Sequence, residues 1–302
     1  MNSPGTGKEA DPPRTGQRLR IGIVCKHTWE EEAASPFFTT MRENVERQAR
    51  TLGMTVTRLF RPGEPLAHGD LFRLDGLVVI GAIDPRPVLE VCDASRNIVF
   101  LKNTVQQEID IDVVQNDMAG ATREGLELLS RLGHLSIGLI TGNIYAPDIV
   151  TQRPSTSIDV RHQTYLEWMR DAGRLESGHV HLAPWTSEGG YRATVQAIRK
   201  GRLPTAFMIA NDSFAIGALR AFSEAGIRVP EDVSVISFDN TRLAVSSSPP
   251  LSSFDLDPAE AGRQAVNLLL ERIHGRRSPV RVTIPSRLVV RQSFTIPRSP
   301  TV

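Results

Sequence analysis

The sequence predicts an α/β protein built from two doubly wound parallel-sheet lobes, and three observations carry that prediction. Short apolar runs alternate with helix-length amphipathic segments along almost the whole chain. The alternation restarts after a Gly- and Pro-containing stretch at 142–154, as a second sheet would require. Two polar pairs, Asn211-Asp212 and Asp239-Asn240, fall just past strand ends, the edge of an open parallel sheet where ligands bind.

Taken in order, residues 1–18 hold Pro4, Pro12, Pro13, Gly5, Gly7 and Gly16 with almost no apolar side chains, and read as a flexible tail or linker. IGIVC at 21–25 is a buried strand. A helix follows from Pro36 or Phe37 to Thr51, ahead of Gly53. Strands are predicted at 55–60, 77–80 and 98–101, a helix at 119–132 and a strand at 136–141. The second cycle gives a helix at 160–172, a strand at 179–182 and a helix at 188–200. It continues in the strand-helix-strand unit TAFMIANDSFAIGALRAFSEAGIRVPEDVSVISFDN at 205–240. There Phe214, Ala218, Ala221, Phe222 and Ala225 form one helical stripe between strands at 205–210 and 233–238. Gly226 stops that helix, and Pro230 keeps it stopped. After Pro249-Pro250 come SSFDLD, an amphipathic helix at 259–273 ended by Gly275, and strands near 280–284 and 287–294. The simplest domain boundary lies near 141–143.

The totals exclude several classes. Forty per cent hydrophobic residues in 302 supply core for two domains, and 35 Lys plus Arg against 34 Asp plus Glu give no overall call for nucleic acid or an anionic membrane. Cys25 and Cys92 each sit in an apolar run and read as buried thiols of a reducing cytosol. No apolar run reaches the roughly 18 residues of a membrane span, and the first twenty residues lack an export core, so a cytoplasmic location is expected. P-loop, dinucleotide-binding, nucleophile-elbow, HExxH and CxxC motifs are all absent. No catalytic residue, metal or cofactor is therefore assigned.

What remains suits recognition of a small polar ligand, with a plainer reading beside each residue. Arg161 offers a fork of charged donors or a surface salt bridge. Trp185 offers a flat face for a sugar or heterocycle, or core packing. Asp212 reads as a helix cap, and Asp239 and Asn240 as ligand or turn residues. His134 reads as a partner of terminal helix carbonyls, and Arg272, Arg276, Arg277 and Arg281 as a solvated surface.

The motifs fall in a recognisable order: SPFF (35–38), LDGLVVIG (74–81), RLGHLSIGLITG (131–142), VRHQTYLEWMRDAG (160–173), IANDSFAIGAL, GIRVPEDVSVISFDN, SPPLSSFDLDPAEAGRQAVNLLLERI and SRLVVRQS (286–293). In this order the sequence resembles the ligand-sensing core of LacI/GalR-family bacterial transcription regulators, over about residues 20–293. The resemblance implies a periplasmic-binding-protein-like type I fold, two lobes joined by three crossovers near 141–142, 251–255 and 285–287. It implies a first lobe of 19–141 plus 256–283 and a second of 142–255 plus 284–298. It also implies a small-molecule effector, expected to be a carbohydrate, gripped by Phe37, Phe38, Arg161, Trp185, Asn211 and Asp239, with Lys102 at a further ligand position. A homodimer is implied, together with contact to operator DNA through a helix-turn-helix head that this chain lacks; no membrane partner is implied. The alternatives are a free-standing or uptake-linked binding protein and, further off, a doubly wound enzyme.

Three places depart from the family pattern. Lys102-Asn103 stands where an Asp is usual, reversing a local charge. Asn116-Asp117 exchanges the usual order of acid and amide. Trp29 with Glu30, Glu31 and Glu32 reads as a solvated acidic turn, with a lid as the alternative.

Overall fold

In a computed structural model, residues 18–64, 66, 68–71, 73–92, 97–102, 110–147 and 154–298 are described. The chain begins with β1 (Arg20–Cys25), α1 (Trp29–Ala33), α2 (Pro36–Thr51), β2 (Thr55–Phe60), α3 (His68–Leu71), β3 (Gly76–Ile80), α4 (Pro85–Cys92), β4 (Ile98–Leu101) and β5 (Asp112–Asn116). It then crosses to a second body made of α5 (Met118–Arg131), β6 (Ile137–Thr141), the hairpin β7 (Ile144–Pro147) and β8 (Pro154–Ser157), and α6 (Val160–Asp171). That body continues with β9 (Val180–Leu182), α7 (Ser187–Arg199), β10 (Ala206–Ile209), α8 (Asp212–Glu224), β11 (Ser234–Phe238), α9 (Arg242–Ser246) and β12 (Ser252–Asp255). α10 (Pro258–Ile273) and β13 (Arg281–Ile284) return to the first body, and β14 (Arg287–Val289) to the second.

The two main sheets run β13-β5-β4-β3-β1-β2 and β14-β12-β11-β10-β6-β9. Every pair in them is parallel except β12 with β14. Buried on both faces, the central strands are continuous apolar runs, as parallel sheets demand: β3, β4 and β10 are buried throughout. Pro36 opens α2 with a ring already set for helix, and Phe37, Met41, Val45 and Ala49 form its buried stripe. α10 lies against it, and at Gly262 a Cβ would press on the Met41 carbonyl at 3.0 Å. α7 and α8 approach more closely still: a Cβ at Gly217 would collide with the Ser187 carbonyl, and one at Gly190 with the Phe214 carbonyl.

The expected boundary at 141–143 is wrong. β6, assigned from the sequence to the first lobe, hydrogen-bonds to β10 and β9 of the second sheet, so the first crossover comes after β5, at Asp117. A strand buried on both faces looks the same in either sheet, and only its partners decide. The chain crosses again at 256–257 and at 285–286. The three are tied together: Asn116 Nδ2 donates to the Leu256 carbonyl at 2.5 Å, and the Asp117 amide donates to the Ile284 carbonyl at 3.0 Å.

Other sequence readings are corrected. The Gly- and Pro-containing stretch at 142–154 contributes β7 and the first residue of β8, which pair antiparallel. The acidic segment after β1 is α1, closed by a Thr28–Glu31 capping box, and its Glu32 is buried and paired with Arg42 and Arg61, each at 2.6 Å. His134 does not serve the helix carbonyls; its ring bridges Thr205 Oγ1 and the Thr295 carbonyl. Nor are Arg272 and Arg276 simply solvated, for both pair with fully buried Asp112, at 2.6 and 2.7 Å. Asp112→Ala is expected to lower the unfolding free energy by about 3–5 kcal/mol in a urea titration, because it strands two part-buried guanidinium groups.

Candidate functional site

The carboxyl ends of the two sheets face each other, and the residues just past those ends make the site. On the first lobe β1 delivers Lys26 and β4 delivers Lys102; on the second, β10 delivers Asn211 and β11 delivers Asp239. The backbone at both Lys102 and Asp239 is left-handed, with φ of 56° and 94°. Each is held there by the neighbouring strand, the Lys102 amide donating to Val114 O at 2.7 Å and the Asp239 amide to Phe254 O at 2.9 Å. Such a conformation costs about 1–3 kcal/mol outside glycine and clusters at functional sites. Here it occurs on both sides of one cleft.

The Lys102 ammonium lies 3.9 Å from the Phe37 ring centroid and 5.9 Å from that of Phe38. Phe37 is buried in the core, so it is a floor under the cation rather than an exposed wall. Phe38 is half-buried, edge-on to Phe37 at 5.5 Å and 4.4 Å from the His27 ring. Across the cleft, the Arg161 guanidinium is locked by Asp159 through Nε and Nη2, each at 2.7 Å, and by the Ala210 carbonyl at 2.5 Å. It sits 5.1 Å from the Trp185 ring centroid and 5.5 Å from that of Phe238. Its fork is largely spent inside its own lobe. Trp185 is half-buried, stacks on Phe214 at 5.2 Å and donates Nε1–H to the Asn143 carbonyl at 2.8 Å. Gly142 leaves room for it, since a Cβ there would lie 2.7 Å from that nitrogen.

The cap read for Asp212 is made by Asn211 instead. Asn211 is the N-cap of α8, its Oδ1 accepting from the Phe214 amide at 2.8 Å. Asp212 is already helical and buried; it accepts from Ser237 Oγ, Ser253 Oγ, and the amide and hydroxyl of Thr241. Four donors from three segments thereby fix the turn that carries Asp239. Asn240 is the turn residue expected, with Nδ2 donating to Asp255 and Oδ1 accepting from Arg291.

Electrostatics join the lobes. Burial lowers the Lys102 ammonium from its ordinary 10.5 to about 8, opposed chiefly by the negative charge of Asp239. Burial raises the Asp239 carboxyl from 3.8 to about 6, opposed chiefly by Lys102. Each is the other's strongest charged neighbour, yet they form no ion pair within 4 Å, and neither head group makes a side-chain hydrogen bond among the described residues. Burial also pushes the Asp159 carboxyl up, but the Arg161 charge and its hydrogen bonds outweigh this and leave it below its ordinary value. Lys26 is likewise lowered by burial to about 8, and His27 to about 4. Sequence reasoning missed Lys26, His27 and Asp159. The signal was available, for Lys26 and His27 directly follow a strand and Asp159 immediately precedes a helix that starts at the cleft. A concavity of about 610 Å³ beside β2, lined by Arg18, Glu46, Arg50 and Met54 among others, contains none of these groups.

This architecture and its sequence have clear relatives. Residues 126–294 match the family described as periplasmic binding protein-like domain. The chain is 32% identical over 285 residues to the HTH-type transcriptional repressor MelR of Bacillus subtilis, covering 92% of this chain and 81% of that protein. It is also 32% identical over 280 residues to the HTH-type transcriptional regulator GanR of the same species, covering 91% and 82%. Among solved structures, a transcriptional regulator CelR–cellobiose complex superposes with a TM-score of 0.76 at 25% identity, covering 91% of this chain and 85% of that one. The lac repressor dimer bound to operator and anti-inducer superposes with a TM-score of 0.78 at 24% identity, covering 93% and 83%. The fold is thus that of a two-lobed binding protein. The chain belongs to the LacI/GalR family of transcriptional regulators, of which it carries the effector-binding core, and the relatives named here are regulators.

The raised pKa of Asp239 fixes a sign. Between pH 3.8 and about 6 the folded carboxyl keeps a proton that the unfolded chain has lost. This group therefore stabilises the fold below pH 3.8, and that contribution is withdrawn as pH rises through 6. Lys102 stays charged in both states across this range, its folded value being about 8. Asp239→Asn should accordingly gain stability relative to the parent between pH 4 and pH 7, measured by urea unfolding at each pH.

Proposed function

We propose that this chain senses a small polar effector, a sugar or sugar derivative, held between its two lobes in the cytoplasm. Effector binding is transmitted, in a homodimer, to a DNA-reading module of the helix-turn-helix type that the relatives' names carry. The observation that supports this most is the pairing of Lys102 with Asp239 across the cleft. Both are half-buried and charged at neutral pH, and both keep hydrogen-bonding capacity that the described residues do not use. A molecule with hydroxyl groups between them takes a hydrogen bond from one lobe and gives one to the other, so it favours the closed arrangement over any open one. Phe38 and Trp185 supply ring faces on opposite lobes, and Asn211 supplies an amide whose NH2 group has no partner among the described residues. The cellobiose in the related CelR structure agrees with the sugar class. An uptake-linked binding protein is not favoured, because the named relatives are regulators.

The test is a thermal-shift and calorimetric screen of mono- and disaccharides, cellobiose included. A ligand at 100 times its Kd should stabilise the fold by about 2.7 kcal/mol. Asp239→Asn should remove most of that gain while the unliganded protein stays folded. Arg161→Ala is a poor probe, since it leaves the buried Asp159 carboxylate without its cation. If Asp239→Asn and Trp185→Leu both bind the ligand as the parent does, the cleft is not its site.

A further inference from the structure

We propose that the effector carries an anionic group, a carboxylate or a phosphate, seated between Lys102 and Lys26 of the first lobe. This rests on the reading of the cleft as the effector site and narrows the class of molecule that fills it.

The argument begins with the charges at the two strand ends. Asp159 and Arg161 are spent on each other through paired hydrogen bonds. That leaves two ammonium groups, Lys26 and Lys102: Asp239 is the strongest acidic influence on Lys102, and Glu31, then Asp159, on Lys26. Glu31, the strongest acidic influence on Lys26, is exposed, and its carboxylate already accepts the Thr28 amide at 3.0 Å. Neither lysine has an ion-pair partner within 4 Å among the described residues. Among the described residues both ammonium groups are thus left without a directly contacting counter-ion. A neutral ligand would cover the lysines without balancing them, and a buried charge without a partner is costly.

The backbone brings the two lysines to nearby strand ends. Lys26 ends β1 and Lys102 ends β4, and β3 runs between these strands. β3 ends at Gly81, with φ +100°, where an added Cβ would lie 2.7 Å from Lys26 Cβ. The strand between the two lysines thus ends without a side chain. Adjacent strands are about 4.8 Å apart, so the two Cα atoms are separated by roughly 10 Å, a gap that two lysine side chains reach across from either side. The lysines are close enough for Lys26 to lower the proton affinity of Lys102. Asp239, on the opposite lobe, repels an acid and accepts hydroxyl hydrogens. The acidic end of the ligand accordingly points to the first lobe and its hydroxyl groups to the second.

The experiment is isothermal titration of the parent with D-glucuronate, glucose 6-phosphate, inorganic phosphate and D-glucose. At least one acidic probe should bind about tenfold or more tightly than glucose. Lys102→Gln and, independently, Lys26→Gln should each erase that preference by about tenfold or more, while Lys102→Arg keeps it. Two lysine variants guard against misfolding of either one. Equal or tighter binding of glucose, acid binding unchanged in both Gln variants, or no acidic probe bound at about 10 mM would each overturn the proposal. The cleft reading fails separately. If a neutral sugar binds and Asp239→Asn removes its binding, the cleft stands and only the anionic group is refuted. If acids bind and no cleft variant, Asp239→Asn included, alters them, both readings fall.

Discussion

The structure turns on two opposite charges held apart. Lys102 and Asp239 project from the facing ends of β4 and β11, each in a left-handed backbone conformation and each the other's strongest charged neighbour. Two unit charges more than 4 Å apart attract by at most about 4 kcal/mol in a medium of protein-like polarisability. For both groups desolvation exceeds that attraction, as the direction of both shifts shows: the lysine becomes a weaker base and the aspartate a weaker acid. Closing the lobes on this pair alone is therefore an incomplete bargain. On the proposed reading, a polar molecule hydrogen-bonded to both offsets what desolvation removed and ties closure to ligand.

The scaffold positions the two charges by different means. Lys102 stands over a ring that belongs to the core, with its amide bonded to β5, so its location follows from the packing of α2 on the first sheet. Asp239 depends on a polar keystone. Buried Asp212 gathers Ser237, Ser253 and Thr241, which ties α8 to β11, β12 and the segment after β11. Between the lobes, the bonds from Asn116 to Leu256 and from Asp117 to Ile284 bind the three crossovers into one strap. Any lobe movement would bend these three segments together, which suits two discrete arrangements rather than independent sliding.

Much of this was legible in the sequence because parallel strands and amphipathic helices announce themselves by period. β1, β2, β4 and α2 lie where apolar runs and Gly53 place them. β5 did not announce itself: it opens with Asp112, whose charge is balanced by Arg272 and Arg276, 160 and 164 residues away. Such a long-range pair has no local signature. The lobe of β6 was misread for a related reason, since hydrogen-bond partners, not composition, decide which sheet a buried strand joins. The resemblance suggested Arg161, Asp239 and Lys102 as ligand positions, but it could not show that Asp159 consumes the Arg161 fork, or that Asn211 caps while Asp212 braces. The acid-rich turn after β1 hid a buried Glu32 held by two arginines.

The most direct test of the facing-charge account is a double-mutant cycle of Lys102→Met and Asp239→Asn, read as unfolding free energy at pH 7 and low salt. If the two groups sense each other across the cleft, the single variants are non-additive, with a coupling of about 1 kcal/mol or more. Additivity within about 0.3–0.5 kcal/mol would mean that the lobes do not present these charges to one another, and the account would be wrong.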